Sequence, residues 1–271
     1  MAALFLSGCS CHLDVPAAKG QMQTREPLTL YNRSLELRLF KPLQPAAENV
    51  LIIYATGDGG WLGLGHDIFD WLTQWNYPVV GFSSRAYLKN LGAVSDTDTT
   101  TPRRLARDYE NIIGFAESRL GLPSTTSLIL VGLSRGAGLS VVAAGEGMLD
   151  QNLAGLLAIA LTKEEEHVIR YRRRAPKSAN DPPRLEGVQI ETYRYLNRLV
   201  SFPVMVLQST NDGYLPAEAA RRLFGPDTAL RRLRAVEAAN HGFRNGCQAL
   251  YRDAQDALKW MTSRLSTRHP K

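Results

Sequence analysis

Several things are scarce in these 271 residues, and each scarcity excludes something. No run approaches the roughly 18 consecutive apolar residues that a membrane-spanning helix needs, which rules out helical channels and transporters. No motif recurs with a period of roughly 20 to 50 residues, so solenoids and propellers drop out. Cysteine is limited to 3 residues, too few for a small fold built on disulfides, and no C-x-x-C or H-x-x-x-H spacing offers a metal site. No cofactor or metal is therefore expected. The chain has no ladder of aromatic and basic residues and no zinc-finger spacing, so although it carries a net charge of +6, nucleic acid is not an expected partner. Histidine is also rare, at 5, so each one can be weighed singly.

What is present is an ordinary globular composition, 44% hydrophobic and 21% charged, long enough to bury a large core. The basic residues are dispersed except in RYRRRAPK, Arg170 to Lys177, which suits either an anionic headgroup or a solvated face. The first residues read LFLSGC, and Leu6 to Cys9 resembles the lipobox of bacterial lipoproteins, which implies lipid attachment at Cys9 and a tether outside the cytoplasm. Only Met1 to Phe5 precede it, shorter than the usual basic and apolar lead of a signal peptide. Residues 1–26 are thus read as a truncated lipoprotein signal and linker, with 10–26 a polar leash. Cys247, near a helix start, is expected to pack as a small apolar group.

From residue 49 onward, short apolar runs alternate with helical stripes. NVLIIYATG (49–57), YPVVGFSSR (77–85), SLILVGLS (127–134), LAGLLAIAL (153–161), FPVMVLQST (202–210) and LRRLRAVEA (230–238) read as strands buried on both faces. Ile68, Trp71, Leu72 and Trp75 mark one helix. Leu105, Tyr109, Ile112, Ile113, Ala116 and Leu120 mark a longer one, with Pro102 at its start and Gly121 at its stop. Leu250, Ala254, Leu258, Met261 and Leu265 mark the last. This alternation predicts an α/β fold: a mostly parallel sheet covered by helices on both faces, with LTLYNRSLELRLFKP added as antiparallel edge strands. One domain is expected over 27–266, with a cap insertion at about 163–200 and a tail at 267–271.

GLSRG, Gly132 to Gly136, is G-x-S-x-G between a strand and a helix, the context in which the serine of a nucleophile elbow stands above a sheet. A plain helix-capping serine is the alternative. A hydroxyl needs a base, and His241 in EAANHGFRNG follows the last strand, whereas His12 and His269 lie in tails and His66 and His167 lie elsewhere. Asp212 in LQSTNDGYLP follows the strand before it, giving the chain order Ser134, Asp212, His241. Glu164, one strand earlier, is the competing acid. Donors for the developing oxyanion are expected from the backbone of Arg135 and from Gly57 or Asp58 in the loop ATGDGGW.

Strand order and triad order together resemble the α/β-hydrolase superfamily over 49–266. Within it, ATGDGGWLGLGHDIFDWLTQWNYPVVGFSSRAYL is similar to the bacterial VirJ-type virulence domain, which carries a [ST]-G-D-G-G-W loop, a helix and a P-V-V-G strand. Asp58, Gly59, Gly60 and Trp61 match the loop residue by residue. The resemblance implies a periplasmic serine hydrolase acting on an ester, in the best understood members an aminoacyl phospholipid. It also agrees with an anchor at Cys9 and with substrate contacts from Asp58 and Trp61. Two departures bear on substrate rather than chemistry: the elbow reads GLSRGAG where the family commonly has G-Y-S-F-G-A-D, and 163–200 is longer than the family's usual connection. A cytoplasmic peptidase or thioesterase, and a non-catalytic envelope binding protein on a hydrolase scaffold, are the alternatives. Oligomeric state is not legible.

Overall fold

The computed structural model describes residues 18–47, 49–91, 102–166 and 189–265. The lipobox-like stretch at Cys9, the arginine cluster at 170–177 and the tail at 267–271 lie outside them. The described chain begins with an antiparallel hairpin, β1 (Gly20–Leu30) and β2 (Arg33–Pro42), turned through Tyr31 and Asn32, both at positive φ. Residues 20–26 of the expected leash belong to β1. Its alternation puts Met22 and Leu28 against the core, but Gln, Thr, Arg and Glu between them hid the period of two.

Next come β3 (Val50–Ala55), α1 (Leu64–Gln74), β4 (Val79–Phe82), α2 (Ser84–Leu91), α3 (Pro102–Leu120), β5 (Ser127–Leu133), α4 (Arg135–Gly145) and β6 (Leu153–Ile159). A small cap follows, made of the antiparallel pair β7 (Glu164–Glu166) and β8 (Gln189–Glu191) with α5 (Thr192–Leu196), which packs on α4. The chain then returns through β9 (Val204–Ser209), α6 (Ala217–Phe224), β10 (Arg231–Val236) and α7 (Cys247–Ser263). The eight-stranded sheet has the order β1-β2-β4-β3-β5-β6-β9-β10, antiparallel across β1, β2 and β4 and parallel from β4 to β10.

The sheet is covered on both sides, so β3, β5, β6 and β9 can be apolar almost without interruption. Successive residues serve opposite faces. Leu51 and Ile53 join α2, α3, α4 and α6 in one cluster, while Ile52 and Tyr54 join α1 and α7 in the other. Two helices went unread in the sequence. The start of α2 continues directly from β4 in YPVVGFSSR, and α6 is one short amphipathic stretch of Ala217, Ala220 and Phe224. Among the described residues, no helix is long and apolar enough to cross a membrane.

One buried acid ties three elements together. Asp108 of α3 accepts hydrogen bonds at Oδ2 from Tyr87 Oη of α2 (2.6 Å) and from Tyr31 Oη in the hairpin turn, and Arg104 Nε donates to that Tyr31 oxygen at 3.0 Å. Burial raises the Asp108 carboxyl above its ordinary range, and the two tyrosine hydrogen bonds and Arg104 pull the other way.

Because β3, β5, β9 and β10 run parallel, the loops after them emerge along one rim. Residues 56–63, 134, 210–216 and 237–246 all belong to those loops.

Candidate active site

Ser134 occupies the corner between β5 and α4 at φ 51, ψ −117, a left-sided conformation that a non-glycine residue adopts only under constraint. The constraint is visible on either side. A Cβ on Gly132 would stand 2.5 Å from the Ala137 nitrogen, and one on Gly136 would overlap the Ala55 carbonyl of β3, so both flanks must be glycine for the turn to close. The serine N-H donates to Ile159 O of β6 at 2.7 Å, which fixes the corner from the other neighbouring strand. Its hydroxyl is left projecting over the rim.

His241 comes to it from a loop closed by Ala239 N-H on Arg244 O (2.8 Å) and Phe243 N-H on Asn240 O (3.0 Å), with the buried Phe243 ring as its anchor. Nε2 lies 2.8 Å from Ser134 Oγ, and Nδ1 lies 2.7 Å from Asp212 Oδ2. An ionised carboxylate can only accept, so Nδ1 carries the proton and Nε2 is free to accept the serine hydroxyl proton. The edge of the Tyr214 ring packs against the imidazole, with centroids 4.8 Å apart.

Asp212 is 1% exposed, and every acceptor position on it is used. Oδ1 receives the backbone N-H groups of Tyr214 (2.8 Å) and Leu215 (3.3 Å); Oδ2 receives His241 Nδ1 and Gln208 Nε2 (2.9 Å). The acid turn is stitched to the histidine loop by Asn211 Nδ2 on Ala238 O at 2.8 Å. Glu164, the competing acid, lies in β7 opposite Glu191 and pairs with Lys163 at 3.6 Å. These three side chains, drawn from three separate loops, form the Ser-His-Asp relay of a serine hydrolase.

The loop after β3 approaches Ser134 at Gly57, where an added Cβ would lie 3.4 Å from the serine Cβ. Asp58 turns its carboxylate to the Arg135 side chain, which donates to it through Nε and through Nη2 (3.1 Å for the latter). That ion pair bridges the two segments expected to supply oxyanion donors. Trp61 packs against Phe69 and Tyr54 with the Arg38 guanidinium 3.9 Å above its ring, so it anchors the far end of the loop. Cys247 packs against the core on the α1 and α7 side, as a small apolar group is expected to, and it is also disulfide-bonded. Among the described residues, no group of three or more His, Cys, Asp and Glu side chains is placed to hold a metal ion. Sequence reasoning missed Gln208 and the Asp58–Arg135 pairing, because neither has a local signature.

The comparisons agree with this architecture. A family model described as bacterial virulence protein (VirJ) matches residues 49–170, and a search of curated proteins returns no match. Among solved structures, the chain is similar to Est1E from Butyrivibrio proteoclasticus, at 11% identity and TM-score 0.60, covering 88% of this chain and 99% of that one. It is similar to an α/β serine hydrolase without lid from Xanthomonas campestris, at 15% identity and TM-score 0.56, covering 90% and 97%. It is also similar to an esterase domain from a Rhodothermus marinus protein, at 18% identity and TM-score 0.55, covering 87% and 99%. At such identities the likeness is one of fold, and the fold is that of the α/β-hydrolases.

Proposed function

We propose that this serine hydrolase cleaves a carboxylic ester at the bacterial envelope, and that its substrate is an aminoacyl phospholipid. The observation that carries the chemistry is the unbroken path from Asp212 through His241 to Ser134, at 2.7 and 2.8 Å. His241 removes the hydroxyl proton as Ser134 Oγ attacks the ester carbonyl, and the tetrahedral intermediate collapses to an acyl-enzyme as the imidazolium protonates the departing alcohol. Water then enters and attacks the acyl carbon as it gives a proton to the same nitrogen, and the imidazolium passes that proton to Ser134 Oγ as the acyl–oxygen bond breaks and the acid leaves. Asp212 holds the imidazole tautomer and stabilises its charged form. The oxyanion is received by the Arg135 N-H, at the first turn of α4, and by Gly57 or Asp58.

Five features support the substrate and the place. The location is supported by the resemblance of residues 49–170 to the VirJ-type domain and by the lipobox-like stretch ending at Cys9. The disulfide at Cys247 suits an oxidising compartment rather than the cytoplasm. Leu62 (77% exposed) and Tyr214 (75%) stand on the two loops that carry Gly57 and Asp212, offering apolar contact to a lipid. Asp58, 58% exposed although paired with Arg135, is positioned to share its charge with an ammonium-bearing acyl group, while Trp61 fixes its loop. The test is a hydrolysis panel of aminoacyl phospholipid vesicles, aryl esters, thioesters and peptides, run with wild type and Ser134→Ala. Release of amino acid from the vesicles by wild type alone is expected. Turnover confined to thioesters or peptides overturns the substrate assignment.

A further inference from the structure

Gln208 is the last residue but one of β9, a strand paired on both sides by β6 and β10. Its side chain is fully buried and leaves the strand to reach across the acid turn. The single amide nitrogen donates twice: to Asp212 Oδ2 at 2.9 Å and to the Leu215 carbonyl at 2.7 Å. One NH2 group therefore spans the turn from Asp212 to Leu215 and roots it in the sheet. The amide oxygen, Oε1, is buried and accepts no hydrogen bond from a described residue. An unmade bond of that kind costs stability, and such costs are tolerated where the group does something else.

The residue type is what that task demands. Glutamate would set a second carboxylate against Asp212; leucine or methionine would fill the space but supply no donor. Only a neutral side chain with two N-H groups satisfies the catalytic carboxylate and the turn together. We propose that Gln208 is a positioning residue of the triad, a strut that fixes the orientation of Asp212 and draws off part of its negative charge at Oδ2, the oxygen that also faces His241. This rests on the serine hydrolase reading and adds to it a residue outside the three reacting side chains. Among the described residues, the Tyr214 ring packs on the imidazole, and Tyr193 of α5 faces Asp212; Tyr193 is buried, and burial first and the Asp212 charge second push its phenol far above neutrality. It stays neutral across the working range and takes no part in the titration below.

With the Nε2 donor gone, Asp212 presents more of its charge to the imidazolium and is less well held, so protonation of His241 is favoured and the base is misaligned. Gln208→Met, close in shape and lacking donors, is expected to lower kcat by roughly tenfold or more with KM little changed, since Gln208 lies behind the carboxylate and away from the serine. The acidic limb of kcat/KM is expected to move to higher pH. A melting temperature that falls while kcat and the limb stay at wild-type values would reduce Gln208 to a purely structural role and overturn the proposal. If Gln208→Met does not fold, wild type labelled with 15N-glutamine gives the answer: the Gln208 side-chain amide signals should shift in step with the His241 ring as pH is changed, and signals that ignore that titration overturn it. Wild type that hydrolyses no ester and reacts with no fluorophosphonate would fail at the hydrolase reading, a result distinct from an active wild type whose limb Gln208→Met leaves in place.

Discussion

A serine hydroxyl becomes a nucleophile only when its proton has somewhere to go, and at Ser134 the destination is His241 Nε2. What keeps that nitrogen an acceptor is Asp212, so the most informative single-atom change is Asp212→Asn. Tyr214 and Leu215 N-H groups still require an oxygen at the Oδ1 position, which turns the new NH2 toward His241 Nδ1 and Gln208 Nε2, donor against donor. Relief comes from moving the imidazole proton to Nε2, where it blocks the serine. Steady-state kinetics should show kcat falling by about 10⁴-fold, with the fold retained. Ser134, Asp212 and His241 were legible in the sequence for different reasons. Ser134 sits in a local motif with a steric explanation in Gly132 and Gly136, whereas Asp212 and His241 follow from chain order once a parallel sheet is assumed. Gln208 was not legible, since an amide in LQST looks like any polar residue at a strand end. Nor was the partnership of Asp58 with Arg135, whose side chains are 77 positions apart.

Asp108 belongs to the scale of elements, because its two tyrosine partners come from the hairpin turn and from α2 while it sits on α3. In the sequence it is one more charge in RRLARDYEN, indistinguishable from the solvated face of an amphipathic helix; only the folded neighbours make it buried. Its carboxyl titrates above the ordinary range in the folded protein, so the folded state holds the proton more tightly than the unfolded chain does. The stabilisation linked to that proton is present below the ordinary carboxylate range and is lost as pH rises through the raised value. Chemical denaturation over about pH 4 to 8 should therefore show wild type losing stability relative to Asp108→Asn as pH increases. The opposite slope would mean that the tyrosine hydrogen bonds outweigh burial. The other elements follow the same division. Long stripes such as α3 and α7 and the apolar strands were readable from periodicity, while α2, α6 and the polar first half of β1 were too short or too hydrophilic to announce themselves.

At the scale of the molecule, one sheet brings together three loops that are far apart in the chain: Ser134 and His241 are separated by 107 positions, Asp212 and His241 by 29. The sheet order β4-β3-β5-β6-β9-β10 does this by keeping the carboxyl ends of its parallel strands on one rim, with the elbow near the middle and the acid and base toward one side. The convergence at the rim is the central claim, and intact-protein mass spectrometry after treatment with a fluorophosphonate tests it most directly, with peptide mapping of the product. One adduct per chain, located on Ser134, absent in Ser134→Ala and formed far more slowly in His241→Ala, is the expected result. Native, folded protein that stays unmodified, or an adduct on another serine, would contradict it.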